Sequence, residues 1–327
     1  MAHFATNRFN YWGQLGIFTF FFGLGVILLS LISIYIFHLG GTLESLDKFL
    51  IPENATMVRW LQLISTLLTF FLPPVLYAKF CHIKPFKHLG FEEHFNIKQL
   101  GIVLLIILIS SPMVDLLQQL TEMLPWSKAT LLKFKAAEDD YFKQVLVIAR
   151  MNNFWDYIIS MIMVSLLPAV FEETLFRGGL QNLLSRWFKM PVLAIIVTSI
   201  IFSAIHGSYL GFLSRFALSF VLGWIYYRTG NIWLNIIAHF FNNGMALTIL
   251  YFSSKPGTKM DPSQMNEHYS IWLGIFCIAV VVGLFIYFEK ISKVTIDRPG
   301  EEVLIPGYNF SNPFENDIDS IGKSSQP

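Results

Sequence analysis

A chain of 327 residues that is 54% hydrophobic and only 14% charged departs from soluble composition, where roughly a quarter of residues carry charge, and points to a lipid bilayer as its solvent. The formal net charge of +1 supplies neither the basic footprint expected of a nucleic-acid binder nor an acidic field for cationic partners. Two cysteines, Cys81 and Cys277, are too few for a disulfide framework.

In chain order, the first apolar run covers 13–37 after a short polar start. It exceeds a signal-peptide h-region and lacks a clear small-residue cleavage site, so it reads as a retained span. Further runs near the length of roughly 20 residues that crosses a bilayer lie at 60–78, 99–120, 154–175, 191–206, 210–227, 232–252 and 271–288, the fifth and sixth of the series being the shortest. The expected fold is all-α, a polytopic bundle of about eight transmembrane helices around a polar cavity, in one membrane domain over 1–291.

Between the third and fourth runs, Leu131, Phe134, Tyr141, Val145 and Ile148 recur at helical spacing among Lys133, Lys135, Glu138 and Lys143. This predicts an amphipathic helix on the membrane surface. From 292 to 327 the chain turns to Asp, Glu, Asn, Ser, Gly and Pro, a composition that cannot bury enough apolar area to fold alone. Lys79, Lys84, Lys87, Arg186, Lys189, Arg228, Lys290 and Lys293 favour one side and would place both termini in the cytoplasm, while the charged connection argues the other way.

Ionisable residues at membrane depth cost several kcal/mol unless paired or wet, so they carry the functional information. The fourth run ends in Phe171-Glu172-Glu173-Thr174-Leu175-Phe176-Arg177-Gly178-Gly179. Neighbours on a helix point about 100° apart whereas residues four apart share a face, so Glu173 can pair with Arg177 while Glu172 looks elsewhere. The fifth run ends in Phe202-Ser203-Ala204-Ile205-His206, and the seventh carries His239 and Asn243 one turn apart. A carboxylate, two imidazoles and a carboxamide from three spans could meet in one pocket and hold a water. Singly, each has a plainer reading. Paired glutamates at a helix end are usually solvated, lone membrane histidines usually bond a neighbouring helix, Asn235 and Asn242 read as glue between helices, and Pro168 as a kink. Cys81 and His82 are adjacent and face apart, which argues against a thiol nucleophile, and His3, His38, His82, His88, His94 and His268 lie near ends or in loops and need no role.

Taken in order, Glu-Glu-x-x-x-Arg (Glu172, Glu173, Arg177), Phe-x-x-x-His (Phe202, His206) and His-x-x-x-Asn (His239, Asn243) resemble the CPBP family. That family comprises the CAAX-processing type II endopeptidases and the Abi, or bacteriocin-processing, membrane proteins. The resemblance covers about 154–252. It implies an all-α membrane bundle and hydrolysis of a peptide or membrane-protein substrate within the bilayer. By resemblance, Glu172 activates water with help from His206, His239 and Asn243 bind the oxyanion, and Glu173 and Arg177 support the site.

Low-dielectric burial disfavours ionised carboxylates, which suits a general base, and a donor aimed at a developing oxyanion can contribute about 3–4 kcal/mol. Two histidines and a glutamate are also the ligand set of some catalytic zinc sites, so a divalent metal such as zinc held by Glu172, His206 and His239 stays open. No His-Glu-x-x-His signature is present. A non-catalytic immunity or scaffold protein of the same fold is the alternative, and a transporter a weaker one, since no repeated half with broken helices is visible. The phenylalanine-rich composition suggests a bacterial inner membrane. Nothing in the sequence names the substrate.

Overall fold

The computed structural model describes residues 9–39, 51–82, 84–92, 96–253 and 268–296. Residues 297–327, most of the expected polar tail, lie outside the described residues. The start of that tail does not behave as expected, because the last helix continues to Ile296.

All regular elements among the described residues are helices. We label the main ones α1 (Tyr11–Leu39), α2 (Ala55–Cys81), α3 (Ile97–Glu122), α4 (Lys128–Ile148), α5 (Phe154–Phe188), α6 (Pro191–Ile205), α7 (Phe212–Thr229), α8 (Ile232–Ser253) and α9 (Ile271–Ile296). Eight of these coincide with the eight apolar runs, and α4 with the amphipathic connection. Among the described residues six helices, α1, α2, α3, α5, α8 and α9, are long and apolar enough to cross a membrane. Helix α6 has only 15 residues. Helix α7 carries Ser214, Arg215, Ser219 and Arg228, polar groups that it directs at its neighbours.

The fourth run is longer than its apolar stretch suggests. Helix α5 extends to Phe188 over 35 residues, so Glu172, Glu173 and Arg177 sit in its interior, with Glu173 and Arg177 fully buried. It reaches this length through two π-helical turns, Met161–Leu166 and Thr174–Gln181. The first precedes Pro168, whose missing N–H frees a carbonyl in the turn before it. Helix α2 repeats the pattern, with a π-helical turn at Leu67–Phe71 before Pro73 and Pro74. The second turn in α5 contains Gly178 and Gly179. A Cβ on Gly178 would stand 2.7 Å from the Leu89 carbonyl oxygen, and one on Gly179 2.7 Å from the Phe18 ring. Small residues here let α1 and the 82–92 connection approach α5 closely.

Two apolar cores flank this polar helix. On one side Ile102, Val103, Ile106 and Ile107 of α3 pack with Val221, Leu222 and Ile225 of α7, Leu234 and Ala238 of α8, and Cys277, Val281 and Phe288 of α9. On the other, Phe18, Tyr77 and Ala78 pack with Leu175, Phe176 and Phe202. Helices α5 and α8 are registered by Ser165 Oγ donating to the Phe240 carbonyl at 2.9 Å and by a Tyr157–Thr248 hydroxyl contact of 3.0 Å.

Helix α4 is capped by Ser127, whose Oγ accepts from Thr130 N at 3.1 Å. At its other end, buried Arg59 of α2 donates to the Ile148 carbonyl at 2.7 Å and to the Arg150 carbonyl. A cation on the last carbonyls of a helix satisfies groups that have no intrahelical partner. The apolar face of α4 turns partly onto the bundle through Tyr141, Phe142, Val145 and Ile148, while Leu132 and Leu146 are exposed.

Candidate active site

The site is assembled from the middle of α5, the end of α6 and one face of α8. Arg177 donates to Glu173 Oε1 through Nη1 at 3.2 Å, and its Nε lies 3.1 Å from Glu173 Oε2 as an ion-pair contact without hydrogen-bond geometry, with both side chains sealed from solvent. Its remaining nitrogen, Nη2, donates to the carbonyl and the hydroxyl of Ser219 on α7, each at 3.0 Å. A buried ion pair depends on further hydrogen bonds to the remaining donors and acceptors, and Ser219 supplies two of them to Nη2. Phe202 lies under the guanidinium, its ring centroid 5.2 Å away.

Helix α8 presents Asn235, His239 and Asn243 at four-residue spacing, on one face. Asn235 Nδ2 donates to the Leu222 carbonyl at 2.6 Å and reaches Glu173 Oε2 at 3.4 Å, so it joins helices and also touches the ion pair. His239 stands between the two glutamates: Nδ1 lies 2.8 Å from Glu173 Oε1, and Nε2 lies 3.8 Å from Glu172 Oε2. The Glu173 carboxylate accepts the Nδ1 proton, which fixes the ring and turns Nε2 towards Glu172.

Glu172 is 9% exposed, and its Oε2 is buried without a hydrogen-bond partner. It borders a cavity of about 710 Å³, lined also by Phe202, His206, His239, Asn242 and Asn243. His206 Nδ1 lies 2.7 Å from the Phe202 carbonyl. A carbonyl can only accept, so Nδ1 carries the proton and Nε2 of the neutral ring is a free acceptor. Asn242 Nδ2 donates to Asn243 Oδ1 at 3.3 Å, leaving the Asn243 amide nitrogen as a donor. The structure thus gathers Glu172, His206, His239 and Asn243 around one cavity and sets Glu173 and Arg177 behind them.

Sequence reasoning missed three contributors. Ser219, Asn235 in its contact with Glu173, and helix α4 as a wall of the cavity carry no motif; the only hint was the amphipathic face of α4. Residues of α4 on this wall include Glu138, Tyr141 and Val145.

The candidate ligand set for a metal was tested on this geometry. Glu172 and His239 converge, but among the described residues no group of three or more His, Cys, Asp or Glu side chains is placed to hold a metal ion. His206 does not complete such a group with Glu172 and His239.

Residues 154–245 match the family model described as Type II CAAX prenyl endopeptidase Rce1-like. This match falls within the stretch whose motifs resemble the CPBP family. The matched stretch includes all of Glu172, Glu173, Arg177, His206, His239 and Asn243. The chain is also similar to a Bacillus subtilis (strain 168) protein described as "Uncharacterized protein YpbD", with 40% identity over 83 residues, which are 24% of this chain. It spans 39% of that relative's length. No solved structure matches the chain. The six long apolar helices, together with the match of 154–245 to a membrane-protease family model, support an integral membrane protein.

Proposed function

We propose that the protein is an intramembrane endopeptidase in which Glu172 activates water against a peptide bond held in the cavity. The observation that carries this reading is the buried, unpartnered Oε2 of Glu172, a residue at the wall of a roomy cavity. A buried carboxylate oxygen without a partner is costly, and a water in the cavity would satisfy it.

In the proposed reaction a water hydrogen-bonds to Glu172 Oε2 and to the free Nε2 of His206. Glu172 takes a proton as the water oxygen attacks the peptide carbonyl carbon, forming the new C–O bond and placing negative charge on the former carbonyl oxygen. Asn243 donates through its amide nitrogen to that oxyanion, with His239 beside it. Collapse of the intermediate breaks the C–N bond, and the proton held by Glu172 passes to the leaving amine. Glu173 and Arg177 hold His239 and the helix around it in place. Because no three candidate ligands among the described residues are placed to hold a metal ion, the water activation is assigned to the carboxylate. The substrate is a peptide or membrane protein, and the place of action a bacterial cell membrane, a setting supported by the Bacillus relative.

The test is cleavage of a pooled library of apolar synthetic peptides by purified protein in detergent, read by mass spectrometry. Wild type is expected to cut members of the pool after exhaustive chelation as well as before, and Glu172→Gln is expected to cut none. Uncut peptides with the wild type would favour the non-catalytic alternative. Activity lost on chelation and restored by zinc would overturn the metal-free assignment.

A further inference from the structure

The same cavity holds a cation that the proposed chemistry does not use. Arg215, in the first turn of α7, lines it together with Glu172 and His206. Its Nη1 is buried and has no hydrogen-bond partner. One face of the guanidinium lies over Tyr141 of α4, 5.0 Å from the ring centroid, a contact that engages the face of the group and not its N–H donors. The nearby carboxylate of Glu138 is engaged elsewhere, accepting from Ser208 Oγ and from Leu210 N. Room for Arg215 is made by Gly211, where a Cβ would stand 2.2 Å from Nη1.

Its position relative to the glutamates follows from α7. Arg215 lies one turn before Ser219, roughly 6 Å along the helix, and Ser219 is the residue that receives Arg177. The guanidinium is thus offset along the cavity from the glutamates and outside their hydrogen-bond network. A planar fork of donors with an open edge binds carboxylate bidentately. An unmodified peptide offers only carboxylates as anions.

We propose that Arg215 is a substrate-binding residue that receives a carboxylate of the peptide, in the first place its free C-terminal carboxylate, and so positions the chain relative to Glu172. This rests on the endopeptidase reading for the identity of the ligand, but its test does not require turnover. Glu172→Gln protein in a zwitterionic detergent is mixed with an equimolar pool of acetylated apolar tetrapeptides in three forms: free C-terminal acid, C-terminal amide, and C-terminal amide with aspartate as the last residue. Peptides retained with the protein are quantified by mass spectrometry.

Acidic forms are expected to be enriched at least tenfold over the plain amides. Arg215→Gln, added to the same background, is expected to remove the enrichment, and Arg215→Lys to keep part of it. Preference for the free acid identifies the terminal carboxylate, and preference for the aspartyl amide a side-chain carboxylate, either supporting an anion anchor. Equal retention of acids and amides overturns the proposal, as does enrichment unchanged by Arg215→Gln or retention of co-purified anionic lipid, dependent on Arg215, with no acidic peptide held. Should Arg215→Gln fail to give monodisperse protein, Gly211→Ala, which drives Nη1 from its place, is expected to cause the same loss. Hydrolysis of the same pool by wild type is scored separately. Arg215-dependent retention without hydrolysis would leave the anchor standing and the protease reading fallen; hydrolysis without acid preference would do the reverse.

Discussion

Helix α5 passes through two buried polar clusters, and they are built on opposite plans. Near its end, Arg186 donates to Asn182 Oδ1 at 3.0 Å, to the Tyr77 hydroxyl at 3.0 Å and to Gln14 Oε1 at 3.3 Å, while Tyr77 donates to Gln14 at 3.1 Å. His82 and His88 stack beside them, ring centroids 3.3 Å apart. None of these side-chain atoms is among the buried ones left without a partner, and none of these residues lines the cavity. In the middle of the same helix, Glu173 and Arg177 are paired and lie behind the cavity, with Arg177 Nε left without a hydrogen bond, whereas Glu172, whose Oε2 also has no partner, stands at the cavity wall. Depth and polarity alone therefore do not mark a working site. The distinguishing feature is an unsatisfied group facing space that a reactant can fill.

The sharpest way to break this contrast is to substitute the adjacent glutamates separately. Glu172→Gln is expected to lower peptide hydrolysis by about 10³-fold or more, within the usual range for a general base, with an unchanged unfolding midpoint. Glu173→Gln or Arg177→Met is expected instead to destabilise by about 3–5 kcal/mol, because each leaves a buried charge without its partner. Thermal unfolding and yield of monodisperse protein would show it. Equal catalytic losses from Glu172→Gln and Glu173→Gln, with stability intact in both, would erase the distinction.

A smaller effect is expected in the other cluster. Tyr77→Phe removes one hydroxyl from the Arg186 network and should cost about 1 kcal/mol, the net contribution of a typical buried hydrogen bond, while the hydrolysis rate per folded molecule stays the same. A rate loss larger than the loss of folded protein would show that this cluster, too, serves the chemistry.

The smallest effects are in pH dependence, and two histidines outside the spans act in opposite directions. Burial, with Arg186 and His82 alongside, holds His88 well below its ordinary value of 6.5. The unfolded chain then binds a proton that the folded chain refuses, so stability falls as pH drops below about 6.5. His268 is raised above 6.5, foremost by its hydrogen bond to Asp115 at 2.7 Å, with Glu122 also facing it at 3.4 Å. Its contribution is present below 6.5 and lost as pH rises through the raised value. Unfolding midpoints across pH 5 to 9 should therefore lose their acid-side slope in His88→Gln and their alkaline-side slope in His268→Gln, each against wild type. Both slopes surviving both substitutions would refute these assignments.

Much of the bundle was legible because a bilayer imposes a length on apolar runs, and all eight runs correspond to helices. What the apolar run could not show was where α5 ends. A helix that carries Glu172, Glu173 and Arg177 inwards looks, on hydropathy, as if it has stopped, and partners on other helices, Ser219, Asn235 and His239, make its continuation tolerable. Pro168 signalled a disturbed turn, but the π-helical stretch at Thr174–Gln181 has no proline to announce it. His88 and His268 read as loop residues because their partners, Arg186 and Asp115, are distant in sequence. The spacing of Glu173 to Arg177 and of His239 to Asn243 was readable since one helical turn fixes it. Contacts between helices, such as His239 to Glu173, were not.

The central claim is that water, activated by Glu172, attacks the peptide bond directly. Hydrolysis of the peptide pool in heavy-oxygen water tests it, with products of a single turnover analysed by mass spectrometry before any exchange. The account predicts one heavy oxygen atom in each newly formed C-terminal carboxylate from the wild type, and no product from Glu172→Gln. New C-termini carrying no heavy oxygen, or labelled product formed at the wild-type rate by Glu172→Gln, would contradict it.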